Sequence, residues 1–406
     1  MIPWESKSLL ENSPGITRRR VLDWMARGGL ATMLAGLPRL TRATDDEVVR
    51  IAYLPITDAT PLLVAHALGF FAEQGLEVAP PVSFKGWDTL VRGFAEGHFN
   101  LVHLLKPIPV WMRYNNAFPV KIVSWAHTNG SAIVVGNEST IREFGDFSGK
   151  RMAIPYWYSM HNIVLQAGLR KVGIQPMVDQ GEKVAAGVCA LKVIPPPLMV
   201  KALANGTTDG YVVAEPFAAM GEMGGAGKVF RFTGDIWRDH PCCVVCMHES
   251  ATRQKPQWTQ KIMNAVVKGA LHASDHREET ARLLAKEGKG YLPVSADTVQ
   301  RAISHYNPKD YSDPVAIRHQ EAWHNQRIDF NPYPYPSATR MIVEMMNQTL
   351  VSDDHTFLTK ITADFVAKDL VEYEFVQKAL AEHPHWQSLH GVPSDHPFER
   401  EETLLV

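Results

Sequence analysis

Four cysteines in 406 residues, Cys189, Cys242, Cys243 and Cys246, are too few to staple a chain of this length. That excludes a disulfide scaffold, although a single disulfide stays open. Charge of one sign is also missing: 41 Lys and Arg against 43 Asp and Glu give a net charge of −2, a balance that does not suggest nucleic acid. No segment approaches the ~18–20 uninterrupted apolar residues of a membrane span. The glycines of 221–227 match no phosphate-loop spacing and read as a flexible turn. No serine sits in a nucleophile-elbow context, and no two carboxylates have a pairing spacing. What is present is 45% hydrophobic content and 21% charge, a globular chain long enough for two cores.

The N-terminus reads as a removable leader. Thr17-Arg18-Arg19-Arg20-Val21-Leu22 precedes a weakly apolar run over 24–37, then a small residue at Ala43 and acidic Asp45-Asp46-Glu47. The pattern resembles a twin-arginine export signal over residues 1–43. Its removal takes the net charge from −2 to about −6. The mature chain is then expected outside the cytoplasm, in the periplasm, with no membrane span and no lipid-anchor cysteine near the cleavage point.

The rest is organised around residues 48–78. Residues 48–54 are β-branched and apolar, 55–58 break the strand with turn chemistry, and apolar residues then recur at helical spacing from 61 to 71. Thr57, Asp58 and Thr60 are candidate caps and Pro61 stands near the first helical position, so free backbone N–H groups should face out of the strand's carboxyl end. A similar unit runs from 151 to 174, with Ser159 and Asn162 where its helix begins. Two such units, one per half, can face each other across a cleft.

Strands and helices alternate elsewhere: strands at 78–84, 101–104 and 120–126, helices at 89–96 and 107–115, then a strand at 131–136 and a short helix at 141–147. After the second unit come a variable loop over 175–190, a strand at 191–194, a helix at 198–205 and a strand at 209–214. Alternation of this kind argues for a parallel, helix-covered sheet. The run CCVVCMH at 242–248 matches SAIVVG at 131–136 in length and character. The two are predicted to lie side by side as hinge strands of a bilobal protein whose first half resumes after Glu249. Helices follow at 257–272, 278–286, 337–350 and 364–381. The tail from 383 to 406 shows little periodicity and should be loosely ordered or wrapped along the surface.

Several segments together resemble the periplasmic solute-binding proteins for nitrate, bicarbonate and related solutes that feed ABC importers. They are Leu54-Pro-Ile-Thr-Asp-Ala-Thr-Pro-Leu-Leu-Val64, Ile154-Pro155-Tyr156 with Tyr158-Ser-Met-His-Asn162, Pro195-Pro-Pro197, Asp209-Gly210 with Glu215-Pro216, and Asp235-Ile-Trp-Arg-Asp-His-Pro241. The resemblance implies a two-lobed α/β fold of the periplasmic-binding-protein type (type II): two doubly wound lobes joined by two hinge strands. Its expected divisions are 47–128 with 249–330 for lobe 1, 129–248 for lobe 2, and 331–406 for a C-terminal helical extension. It also implies a small-molecule solute, permease and ATPase subunits as partners, and no catalytic residues. Solute contacts are expected from Asp58, Trp87, Gly130, Ser131, His161, Glu215 and Cys243, with Glu215 able to bond lobe backbone instead.

One departure bears on the solute. Members that bind nitrate resemble this chain except that a glutamine stands at Ser131 and a lysine close to Cys243. A lysine offsets the desolvation of an anion, and neither serine nor cysteine does. Bicarbonate, cyanate and sulfonates therefore stay open, as do urea and guanidinium held by Asp58, Glu215 or Asp235. No cofactor is required, but a metal ion is an alternative: Cys242, Cys243 and Cys246 with His240 offer soft ligands. Strand alternation would put Cys242 and Cys246 on one face and Cys243 on the other. A cysteine cluster in a related fold marks the iron-dependent thiamine-pyrimidine synthases, so a metal-dependent enzyme is the competing reading. Buried inert thiols are the plain one.

Overall fold

The computed structural model describes residues 48–304, 308–322, 327–352 and 354–406; the export leader expected at 1–43 lies outside them. The chain enters a first sheet through β1 (Ile51–Tyr53), β2 (Val82–Ser83), β3 (Leu101–Leu105) and β4 (Val120–Trp125). It crosses by way of β5 (Thr128–Asn129) into a second sheet made of β6 (Ser131–Gly136), β7 (Lys150–Ile154), β8 (Gln175–Val178), β9 (Val188–Val193), β10 (Gly210–Ala214) and β11 (Gly227–Phe232). It returns as β12 (Cys243–His248), and β13 (Ile328–Asp329) later pairs with β5. The strand orders are β2-β1-β3-β12-β4 and β11-β6-β10-β7-β9-β8.

In each lobe three or more strands run parallel, and one strand that has just crossed from the other lobe is inserted antiparallel: β12 between β3 and β4, β6 between β10 and β11. β3 and β4 are buried along their whole length, which is why they read as near-continuous apolar runs rather than alternating ones. Proline in the first turn starts the helices Thr60–Ala67, Pro107–Tyr114, Pro196–Ala204, Pro256–Asp275 and Pro336–Met346, where its missing N–H costs no hydrogen bond. The helix Pro256–Asp275 packs on Thr60–Ala67 through Gly269, at which a Cβ would stand 2.4 Å from the Pro61 carbonyl oxygen.

The predicted side-by-side hinge strands are not found. β6 and β12 belong to different sheets, and the chain crossings touch one step upstream, where Thr128 bridges Pro241 and Asn129 N–H donates to the His240 carbonyl at 2.9 Å. Matching length and apolarity marked both segments as central strands, but pairing is set by the neighbours each meets after crossing. Strands β5, β8, β11 and β13 were also hidden. β8 contains Pro176 and β11 opens on Gly227, just after Gly224 and Gly225; β8 and β11 both lie at sheet edges, where an apolar run is not needed.

The C-terminal region is docked on both lobes. Lys106 Nζ donates to Thr339 Oγ1 at 2.7 Å, and Val371 bridges Ile122, covering β4 at the edge of its sheet. In the second lobe, the Leu350 carbonyl accepts from the side chains of Asn162 and Gln166 at 3.0 Å each. Of the two expectations for the tail, loosely ordered or wrapped along the surface, the structure shows the second. Trp386 is 3% exposed and stacks on Phe398, Trp237 Nε1 donates to Glu402 at 2.9 Å, and the Arg400 guanidinium lies 4.8 Å over the rings of Trp125 and Tyr335. Aromatic and charged partners far away in sequence hold a segment that has no periodicity of its own.

Candidate functional site

The carboxyl ends of both sheets face one cleft, which is where an open α/β sheet leaves strand ends and helix N-termini free for a ligand. From the first lobe, β1 runs into the turn Thr57–Ala59 that carries Asp58, β3 carries His103, and β4 leads to His127. Because β12 is antiparallel, its first residue, Cys243, lies opposite Leu105 at the carboxyl end of β3. From the second lobe, Ser131 begins β6 opposite Ala214 at the end of β10, and β7 feeds the helix Met160–Lys171. His161 stands in the first turn of that helix, whose cap Ser159 accepts from Asn162 N–H at 3.0 Å. The lobes touch directly: Thr57 gives its backbone N–H (2.8 Å) and its hydroxyl (3.1 Å) to the Glu215 carbonyl.

Asp58, His127, Cys242 and Cys243 form the centre. One ligand-type atom from each lies within 4.8 Å of the other three, and all four residues are fully buried. Asp58 Oδ2 is 2.8 Å from His127 Nε2, while the Cys243 backbone N–H donates to that same nitrogen at 3.3 Å. Neither carboxylate oxygen of Asp58 has a hydrogen bond of normal geometry among the described residues. The second lobe closes over this centre through Ser131 Oγ and His161 Nε2, 3.8 and 3.9 Å from Cys242 Sγ and 2.9 Å from each other.

Burial governs the electrostatics. It pushes the Asp58 carboxyl up, partly offset by His127. It also opposes the His127 imidazolium, but Asp58 outweighs it and holds His127 up to about 10, so the pair keeps a proton between them at neutral pH. Burial and the neighbouring Cys242 push the Cys243 thiol well up. Burial opposes a Cys242 thiolate too, yet Cys243, His161 and His127 together hold that thiol well below its ordinary value. His103, buried in the sheet, is lowered to about 3 and is neutral. Its Nε2 accepts from Leu54 N–H at 2.9 Å, so its proton sits on Nδ1, which has no partner among the described residues. Trp87, 2% exposed at the start of the helix Trp87–Ala95, lies edge-on to His103 with ring centroids 5.4 Å apart, and its Nε1–H is likewise unpartnered.

The structure thus places Asp58, Trp87, Ser131, His161 and Cys243 at or beside one enclosed centre. Gly130 serves the crossing: its φ is +74°, and a Cβ there would meet Ile328 at 2.8 Å and His127 Nδ1 at 3.0 Å. Glu215 is turned away into an ion pair with buried Arg327, whose Nε donates at 3.0 Å, and it accepts from Ala219 N–H at 2.9 Å. The expected metal set is corrected. Cys242 precedes the β12 ladder, so strand alternation does not govern it and it joins Cys243. Cys246 falls outside the cluster, opposite Val102, and burial pushes its thiol far up. His240 also falls outside; its Nε2 faces Thr233 Oγ1 at 2.8 Å, and burial lowers it to about 4. Sequence reasoning missed His103 and His127. The signals were a histidine at the middle of the apolar run LVHLL and one just upstream of Asn129-Gly130-Ser131. It also missed the 2.9 Å pairing of the Ser131 hydroxyl with His161, which joins residues 30 apart.

Two α/β lobes presenting the carboxyl ends of their sheets to one cleft, joined by two crossing segments, define the bilobal periplasmic-binding-protein fold. The chain belongs to the NMT1-like family, matched over residues 42–287. It is 27% identical over 311 residues to the nitrate/nitrite binding protein NrtA of Nostoc sp., covering 71% of this chain and 67% of that one. It is 28% identical over 288 residues to the bicarbonate transport ATP-binding protein CmpC of Synechocystis sp., covering 65% of this chain but only 42% of that longer protein. Among solved structures, the periplasmic nitrate-binding protein NrtA from Synechocystis superposes with a TM-score of 0.71 at 18% identity, covering 89% of this chain and 94% of that one.

Proposed function

We propose that the protein is an extracytoplasmic solute-binding receptor that captures a small planar or oxyanionic solute between its lobes and delivers it to the permease and ATPase of an ABC importer. The carrying observation is the pair of buried, unsatisfied donors Trp87 Nε1–H and His103 Nδ1–H, on rings whose centroids lie 5.4 Å apart. Buried donors left unbonded are costly, so a ligand that brings acceptor oxygens to them is stabilised. His161 adds a second imidazole at a helix start, from the opposite lobe. Relatives named for nitrate/nitrite binding and for the ATP-binding subunit of bicarbonate transport support the receptor role and the importer partners. Export to the periplasm through the twin-arginine-type leader belongs to the same reading. Ser131 and Cys243 in place of glutamine and lysine supply no fixed ammonium at those positions, which weighs against a nitrate-type site and leaves bicarbonate, cyanate and sulfonates to be distinguished by binding. No chemical step is needed, since closure requires only a higher affinity of the closed state for the solute.

A thermal-shift panel of nitrate, bicarbonate, cyanate, taurine, urea and guanidinium tests this. One oxygen-acceptor solute should raise the melting temperature as mass action requires, by the equivalent of about 2.7 kcal/mol at a hundredfold excess over Kd. A response to urea or guanidinium alone would overturn the acceptor-solute assignment and point to Asp58 as the recognising group. No response to any member would overturn the receptor reading for this solute class.

A further inference from the structure

The Asp58, His127, Cys242 and Cys243 cluster is not accounted for by solute capture. Its polar atoms are mutually unsatisfied: His127 Nε2 cannot both accept the Cys243 N–H at 3.3 Å and donate to Asp58 Oδ2 at 2.8 Å. Whichever role the nitrogen takes, one buried group loses its partner, and both Asp58 oxygens already lack normal hydrogen bonds among the described residues. A cation among the four ligand atoms removes the conflict, because it can take a lone pair from the carboxylate, the imidazole and both thiolates. The donor set decides which cation. Two sulfurs and one imidazole nitrogen are unsuited to Ca²⁺ or Mg²⁺, which take oxygen, whereas one O, one N and two S ligands suit a borderline-soft transition metal in four-coordinate geometry. Metal–sulfur distances near 2.3 Å and metal–nitrogen distances near 2.0 Å put tetrahedral ligand atoms roughly 3–4 Å apart. The four ligand atoms lie within 4.8 Å of one another, so gripping an ion requires side-chain adjustments of up to about 1 Å.

We propose that Asp58, His127, Cys242 and Cys243 bind one transition-metal ion of the Zn²⁺, Co²⁺ or Cu⁺ class. Asp58 belongs to the first lobe, while His127 and the two cysteines flank the two chain crossings. A bound ion therefore ties both crossings to the first lobe, directly beneath Ser131 and His161 of the second. This inference stands apart from the solute reading and holds or fails without it.

The full chain, purified, stripped with a chelator and titrated with Co²⁺ alone, is the test. It should bind one equivalent and develop thiolate-to-cobalt charge-transfer absorption with the visible bands of tetrahedral Co²⁺, both bleached by Zn²⁺. Cys242→Ser and Cys243→Ser should each lower the charge-transfer intensity, and Asp58→Asn and His127→Gln should weaken Co²⁺ by at least about tenfold. Cys189→Ser and Cys246→Ser should leave the spectrum unchanged. A wild-type protein with four reduced thiols and no charge-transfer band overturns the proposal, as does one whose Cys242 and Cys243 are oxidised and bind no cobalt. The wild-type spectrum decides the matter even if a variant does not fold.

Discussion

Replacing Arg327 with methionine should destabilise the protein by about 3–5 kcal/mol, because it leaves a buried carboxylate without its countercharge. The Arg327 side chain is fully buried; Nη1 donates to Tyr311 OH at 2.7 Å, Nη2 to Glu222 at 2.8 Å, and Nε to Glu215 at 3.0 Å, with the guanidinium 4.9 Å over the Phe232 ring. Methionine retains much of the volume but none of the donors. Glu215, itself fully buried, would keep only the Ala219 N–H at 2.9 Å, and burial already pushes its carboxyl up. At about 2–4 °C per kcal/mol for a chain of this scale, the melting temperature should fall by roughly 6–20 °C, read by circular dichroism. Adding Glu215→Gln to Arg327→Met should recover part of the loss, and the double-mutant cycle should show a coupling above about 1 kcal/mol. The reasoning is refuted if Arg327→Met melts within about 1 kcal/mol of wild type. It is refuted equally if Glu215→Gln abolishes solute binding without moving the melt, since Glu215 would then be a solute contact.

Trp87→Ala should cost about 3–5 kcal/mol, since the ring is 2% exposed, so Trp87→Phe is the informative change. It removes the indole donor and should weaken an acceptor solute by about 0.5–1.5 kcal/mol in a titration; unchanged affinity would make the indole purely structural. Burial opposes the charge of Asp369, but Arg113 outweighs it and holds this carboxyl low, as it does Glu249. A lowered folded pKa stabilises above the unfolded values of about 3.9 and 4.3 and is lost as pH falls below them; buried neutral His103 and His240 already favour unfolding as pH falls below about 6.5, so the urea midpoint should decline from there and drop further below about pH 4. Asp369→Asn should make that drop shallower, and an identical slope would contradict the assignment. Deleting 383–406 should lower the melting temperature and red-shift tryptophan fluorescence as Trp237 loses Glu402; an unchanged spectrum would show that the tail is not packed there.

The lobes and most of their elements were legible because β-branched runs ended in proline and turn residues at the strand ends that became the cleft. Ser131, His161 and Cys243 were named from the family resemblance rather than from any local pattern, and Asp58 stood out only as a candidate cap after a strand. What was hidden depends on long-range pairing. The antiparallel insertion of β6 and β12 is decided by neighbours met only after the chain crosses. Glu215 looked like a strand-end ligand because its partner, Arg327, is 112 residues away. Cys242 was assigned by strand alternation although it lies just outside the ladder, and His127 went unmarked one turn away from residues that were singled out.

The account rests on the buried donors of the two-lobed cleft recognising a small oxygen-bearing solute. Isothermal titration of dialysed protein with the solute that gives the largest thermal shift tests it most directly, comparing wild type with Trp87→Phe and His161→Gln. A saturable one-to-one isotherm, weakened in both variants although they lie on opposite lobes, is the predicted result. Binding of equal strength in all three proteins would place the solute elsewhere and contradict the account.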